Sequence, residues 1–242
     1  MDPVWLSCPV PQTRPRRRLV CFPHAGGSAA FFRAWGAELA DIEVHAVRYP
    51  GRGERIDEPP ATDLCRLGAA IADALLPLSD VPLALFGHSM GAVVALETAR
   101  SLRARGVAVA HLFASGSRAG QPPADAGPPD TEDDAESVAR LIMLGGTDPE
   151  LAADPDFQAL VLPYIRADSA MFHAYRPDRA VPLDCPVTTI VGDADPDADL
   201  RPWPALTAAV YTEHEVPGDH FYLVERPPFA LLRVQLAAPM VR

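Results

Sequence analysis

The chain has 242 residues, 48% of them hydrophobic, enough to bury one sizeable α/β core. Its formal net charge of −11 excludes the basic footprint that nucleic-acid binding needs. No apolar run reaches the ~18 residues of a membrane span, and Met1–Arg18 carries arginines without an apolar stretch, so neither an anchor nor a secretory signal is read.

In chain order, strand and helix patterns alternate. Arg18–Phe22 is a short apolar run that ends in the turn Pro23-His24-Ala25-Gly26-Gly27. Ala29–Leu39 follows with Phe31, Phe32, Trp35 and Leu39 near helical spacing. Val44–Tyr49 reads as a strand closed by Pro50-Gly51-Arg52-Gly53. Asp63–Leu76 reads as a helix with Leu64, Leu67, Ile71 and Leu75 on one face. Pro82–Phe86 is a fully apolar strand, Gly91–Arg105 a helix, Val109–Ala114 a strand, Val187–Val191 a fifth and His214–Val216 a short sixth. A last helix covers Phe229–Leu236. Such alternation predicts one α/β domain over residues 1–242, with a mostly parallel sheet and helices on both faces.

Residues 120–182 break the rhythm, because they carry no strand signal. Gln121–Asp134 is rich in Pro, Gly and Asp and reads as a loop. Ser137–Leu144 reads as helical. A second helix starts at Asp154-Pro155, an N-cap followed by an N1 proline, and runs through Phe157, Leu160, Val161, Tyr164, Ile165, Met171, Phe172 and Tyr175. An insertion of this length where the next strand is due reads as a helical lid.

Gly87-His88-Ser89-Met90-Gly91 matches G-x-S-x-G between an apolar strand and a helix, the setting of a nucleophile elbow. Ser89 is the predicted nucleophile, and the N–H of Met90 the first oxyanion donor, at a helix N-terminus. His88, next to the serine on a tight turn, is expected to point away from it and to orient or pack. A serine hydroxyl needs a base. In this fold the acid and the histidine follow the serine in that order. His220 follows the turn Pro217-Gly218-Asp219 just past a strand end, whereas His214 lies within the strand, so His220 is the predicted base.

The acid comes from Gly192-Asp193-Ala194-Asp195-Pro196-Asp197-Ala198-Asp199. As a calcium loop this stretch fails, because Asp193 in first place puts Ala198 where glycine is needed and Pro204 where the bidentate glutamate belongs. Asp195 is the predicted acid, with Asp193 the alternative. The other place for an acid, Ser115-Gly116-Ser117-Arg118, holds no carboxylate. The second oxyanion donor is placed on the turn after the first strand, at Ala25, with Gly26 second.

Taken together, Phe22-Pro23-His24-Ala25-Gly26-Gly27, Tyr49-Pro50-Gly51-Arg52-Gly53, Phe86-Gly87-His88-Ser89-Met90-Gly91-Ala92, the Gly192–Pro196 loop and Gly218-Asp219-His220-Phe221 resemble the type II thioesterases of the α/β-hydrolase superfamily. The resemblance extends from about Trp5 to Leu223 and includes Gly145-Gly146-Thr147 and Leu162-Pro163-x-x-Arg166-Ala167-Asp168 in the insertion. It departs at Asp219, where the family usually has a second glycine before the histidine. It implies hydrolysis of acyl thioesters on the phosphopantetheine arm of an acyl or peptidyl carrier protein, clearing stalled chains in polyketide and non-ribosomal peptide biosynthesis. It also implies that no cofactor or metal is used.

A carboxylesterase, an acyltransferase with the same triad, and a non-catalytic carrier-binding module are the competing readings. The four scattered cysteines, Cys8, Cys21, Cys65 and Cys185, suit free thiols in a reducing cytoplasm. A cytoplasmic monomer is expected, with no membrane or nucleic-acid partner. Carriers of this kind are, from the resemblance, usually acidic. Docking to a chain of net charge −11 is therefore expected to need a local patch of arginines, for which Arg52, Arg55 and Arg118 are the candidates.

Overall fold

The computed structural model describes residues 2–117, 149–176, 181–196 and 203–237. Seven strands form one sheet: β1 Leu6–Ser7, β2 Arg18–Phe22, β3 Glu43–Val47, β4 Leu83–His88, β5 Val109–Ser115, β6 Val187–Gly192 and β7 Tyr211–Val216. Their order across the sheet is β1-β3-β2-β4-β5-β6-β7. Only β1 runs antiparallel, against β3, and every other pairing is parallel. The predicted α/β-hydrolase architecture is therefore the one observed.

The continuous apolar runs of the central strands follow from burial on both faces. With side chains alternating, Val20, Phe22, Leu83, Leu85, Leu112 and Ala114 enter one core. Leu19, Cys21, Ala84, Phe86 and Phe113 enter the other. The first core is closed by α2 (Leu64–Leu75) and α3 (Met90–Ala104), which pack on each other. The second is closed by Trp35 of the one-turn α1 (Trp35–Glu38), by Tyr222 and Leu223 of α6 (Tyr222–Glu225), and by Leu232 and Leu236 of α7 (Phe229–Ala237).

Local signals explain the helix starts. Asp63 caps α2 by accepting the N–H of Arg66 at 2.9 Å. Between β5 and β6 lie the short α4 (Pro149–Ala152) and the long α5 (Pro155–Ala174). Asp154 caps α5 by accepting from the N–H groups of Asp156 and Phe157, and Pro155 occupies the first turn, as the sequence predicts. The loop expected at Gln121–Asp134 and the helix expected at Ser137–Leu144 fall outside the described residues.

The predicted helix Ala29–Leu39 is corrected. It is broken into a 3-10 turn, Ala29–Phe32, and the single turn of α1. Tertiary packing overrides the periodicity here. Phe32 stands edge-on to Trp35 at 4.9 Å and to Phe86 at 6.0 Å. A Cβ at Gly36 would come 3.2 Å from Val10, so the N-terminal segment also approaches closely. Among the described residues no helix is long and apolar enough to cross a membrane.

Candidate active site

The register of the parallel strands aligns their C-terminal ends: Phe22 pairs with Gly87, His88 with Ser115, and Gly192 with Val216. The turns after β2, β4, β5, β6 and β7 thus converge on one edge, where open α/β sheets place their sites.

At the end of β4 the chain turns sharply into α3. Ser89 has φ 55° and ψ −122°, and among the described residues it is the one non-glycine with positive φ. Its strain is held by its surroundings. The Ser89 N–H donates to the Ser115 carbonyl at 2.8 Å, and the Ser89 carbonyl accepts from the Ala92 N–H at 3.0 Å. Both flanking glycines are obligatory. A Cβ at Gly87 would come 2.2 Å from the Gly91 carbonyl oxygen, and one at Gly91 would come 2.2 Å from that of Phe22. Ser89 is half-buried, and Met90 opens α3, so its N–H lies in the helix's first turn, where no intrahelical carbonyl is in reach.

After β6, Asp195 is presented toward the turn that follows β7. Its side chain is fully buried, and its Oδ2 lies 2.8 Å from Nδ1 of His220, itself 1% exposed. The two loops are sewn together. The Ala194 N–H donates to the Gly218 carbonyl at 2.9 Å, and the Gly218 N–H donates to Asp193 Oδ1 at 2.9 Å. Gly192 has no room for a side chain, since its Cβ would sit 2.3 Å from two carbonyl oxygens of that turn. Asp193 is therefore committed to holding the turn, and of the two carboxylates it is Asp195 that meets His220. Asp219, the departure from the family pattern, caps the next turn by accepting the Phe221 N–H at 2.8 Å.

A layer of neutral aromatic side chains supports His220. His88 is fully buried, as its place on the turn implies, and its ring lies 4.9 Å from that of His220. Its Nδ1 pairs with Ser115 Oγ at 2.9 Å, and Ser115 Oγ pairs with the Tyr222 hydroxyl at 2.8 Å. Burial, reinforced by His220, holds the His88 pKa well below its usual 6.5. His24 packs edge-on against Phe221 and Phe31, and burial pushes its pKa down to about 3. Both rings are thus neutral and unsuited to act as bases at neutral pH. Gly116 was not singled out from the sequence. It has φ +52°, and a Cβ there would come 2.9 Å from the His88 ring and 3.3 Å from both Asp195 and His220. A glycine ending a strand at the active edge was the available signal.

On the turn after β2, Ala25 is half-buried, and the Gly26 N–H donates to Asp168 Oδ2 of α5 at 2.8 Å. That leaves Ala25 rather than Gly26 as the candidate second donor. The arginine patch is corrected. Arg52 is 4% exposed and grips Asp168 with both terminal nitrogens at 2.5 Å. Arg55 is buried as well, forked onto Glu58 and lying over the Trp5 ring at 4.1 Å. Neither is a solvated docking charge, because guanidinium groups pack as readily as they hydrate. Arg118 lies outside the described residues.

One cluster of metal-ligand type occurs among the described residues, Cys8, Glu43 and His45, with donor atoms within 4.8 Å of one another. It suits no cation, because Glu43 already accepts from Arg18 Nε, His45 Nε2 and the Gln12 N–H, each at 2.8 Å.

Comparison with known proteins identifies the family. The thioesterase domain family model matches residues 17–234. The chain is 36% identical over 216 residues to the medium-chain S-acyl fatty acid synthase thioesterase of Rattus norvegicus, covering 86% of this chain and 82% of that protein. It is 38% identical over 230 residues to thioesterase PikA5 of Streptomyces venezuelae, covering 91% and 80%. The type II thioesterase BorB from the borrelidin biosynthetic cluster superposes with a TM-score of 0.87 at 34% identity, over 98% of this chain and 99% of that one. The fold and the serine elbow define an α/β-hydrolase enzyme. The chain belongs to the thioesterase domain family, among the type II thioesterases of biosynthetic clusters.

Proposed function

We propose that the protein hydrolyses acyl thioesters carried on the phosphopantetheine arm of acyl or peptidyl carrier proteins, using Ser89, His220 and Asp195. The observation that carries the reading is the strained Ser89 on its elbow, at the sheet edge where the Asp195–His220 pair also lies. With Nδ1 engaged by Asp195, Nε2 is the ring nitrogen of His220 left to act as the base on Ser89.

The steps balance without a cofactor. His220 Nε2 takes the Ser89 proton as Oγ bonds to the thioester carbonyl carbon. The N–H groups of Met90 and Ala25 stabilise the oxyanion. The C–S bond then breaks, and the departing sulfur takes the proton from His220. A water, deprotonated by His220, attacks the acyl-enzyme ester and releases the carboxylic acid and Ser89. Asp195 keeps His220 in the required tautomer and stabilises its cationic form.

The carrier-protein substrate rests on the biosynthetic relatives, and α5, packed against the turn after β2, serves as the lid element. The test is incubation with a panel of acyl-loaded carrier proteins and matched oxoesters, followed by intact-protein mass spectrometry. Loss of the acyl mass from the carriers, with free acid as the product, is expected. Faster turnover of the oxoesters would make the enzyme a carboxylesterase, and transfer of the acyl group to an added amine or alcohol would make it an acyltransferase.

A further inference from the structure

Helix α5 is fastened to the turn after β2 by three contacts. The Asp168 carboxylate, 1% exposed, accepts the Gly26 N–H at 2.8 Å. The same carboxylate takes the two terminal nitrogens of Arg52, and Arg52 also reaches the Gly27 carbonyl at 3.4 Å. Ile165 of α5 presses on Gly26 so closely that a Cβ there would lie 2.7 Å from Ile165 Cγ1. The guanidinium is further confined between the rings of Tyr49 and Tyr164, at 5.3 and 5.2 Å. A buried ion pair costs desolvation that apolar packing would avoid, so its net gift to stability is small. What this one does fix is a single arrangement of helix and turn.

We propose that Asp168 is a positioning residue: by holding the Gly26 N–H it fixes the peptide that follows Ala25, next to the one that bears the Ala25 N–H, and so makes the seat of α5 and the oxyanion turn one unit. The proposal rests on the reading above, in which Ala25 donates to the oxyanion. An oxyanion donor works only when it is aimed at the developing charge before reaction, and small misplacement is costly. Releasing the Gly26 N–H therefore weakens thioester activation.

Tyr175, the C-cap of α5, supplies a control: its hydroxyl donates to Glu97 on α3 at 2.5 Å, not to the turn's backbone.

The test compares Asp168→Ala, Asp168→Asn and Tyr175→Phe with the wild type. Three quantities are read: kcat and KM on a short acyl thioester, the rate of fluorophosphonate labelling, and Tm. Asp168→Ala is expected to lower kcat about 100-fold with KM within about twofold. Labelling should slow in parallel, because the phosphonyl oxygen occupies the oxyanion position. Asp168→Asn, which keeps an acceptor for Gly26, should fall between. Tyr175→Phe should lower Tm while kcat stays within about twofold. A raised KM at unchanged kcat in Asp168→Ala would make α5 a mere wall of the acyl site and overturn the proposal. So would a kcat loss in Tyr175→Phe that follows Tm as it does in the Asp168 variants. If Asp168→Ala does not fold, an unchanged labelling rate in Asp168→Asn is sufficient to reject it. Absence of labelling at Ser89 in the wild type would instead refute the serine reading itself.

Discussion

Two histidine–carboxylate pairs sit at opposite ends of the sheet, each closed at 2.8 Å: His220 with Asp195 at the C-terminal edge, and His45 with Glu43 at the N-terminal edge. The second even has a sulfur nucleophile nearby, since Cys8 lies within 4.8 Å. The pairs differ in what else binds the carboxylate and in what backbone presents the partners. Glu43 is saturated by Arg18 and the Gln12 N–H, and the Cys8 thiol is pushed up by burial and by Glu43, which disfavours the thiolate. No helix begins at Cys8, whereas Ser89 sits strained at the N-terminus of α3. A histidine on a carboxylate is thus a common structural device. The elbow, the helix N-terminus and the convergent strand ends are what distinguish a catalytic site.

Substitutions at the two carboxylates should separate these roles. Asp195→Asn is expected to lower kcat by about ten-thousand-fold, as a wrong histidine tautomer does, with Tm little changed. Glu43→Gln removes one of two anionic partners of Arg18, which still keeps Asp80 and the Leu78 carbonyl. It should cost about 2 kcal/mol of stability and leave kcat/KM unaltered. Chemical denaturation paired with a thioester assay reads both. Loss of activity from Glu43→Gln in the folded protein would erase the distinction.

A smaller effect links the same histidines to pH. Burial lowers the pKa of His24 to about 3 and of His111 to about 4, and His45 and His88 also lie below 6.5. A depressed pKa means that the folded state resists protonation. The stability these groups contribute is complete above 6.5 and is lost as pH falls through about 4. Tm should therefore decline steadily below about pH 6.5. A flat Tm down to about pH 4 would show that these rings are not held neutral. Smallest of all, Asp193→Asn should reduce kcat less than about tenfold, since its bond to the Gly218 N–H survives in the amide. A larger loss than that of Asp195→Asn would exchange the two roles.

Much of this was legible in the sequence. Strands β2–β6 were visible because burial leaves largely apolar runs, edge strand β7 was read only in part as His214–Val216, and α2 and α5 were visible because their caps are local. The elbow was visible because its glycines are imposed by backbone clashes within a few residues. What escaped depends on contacts distant along the chain. Two-residue β1 has no periodicity to read and exists by pairing with β3. Arg52 looked like a surface charge because its partner, Asp168, lies 116 residues away. Gly116 has a purpose only once Asp195 and His220 are brought beside it.

The most direct test of the central claim, that Ser89 forms the acyl-enzyme, is intact and peptide mass spectrometry after fluorophosphonate treatment, run beside a thioester assay. The account predicts one adduct, mapped to the peptide containing Ser89, and a folded Ser89→Ala protein with neither adduct nor turnover. Undiminished labelling or hydrolysis in that variant would contradict it.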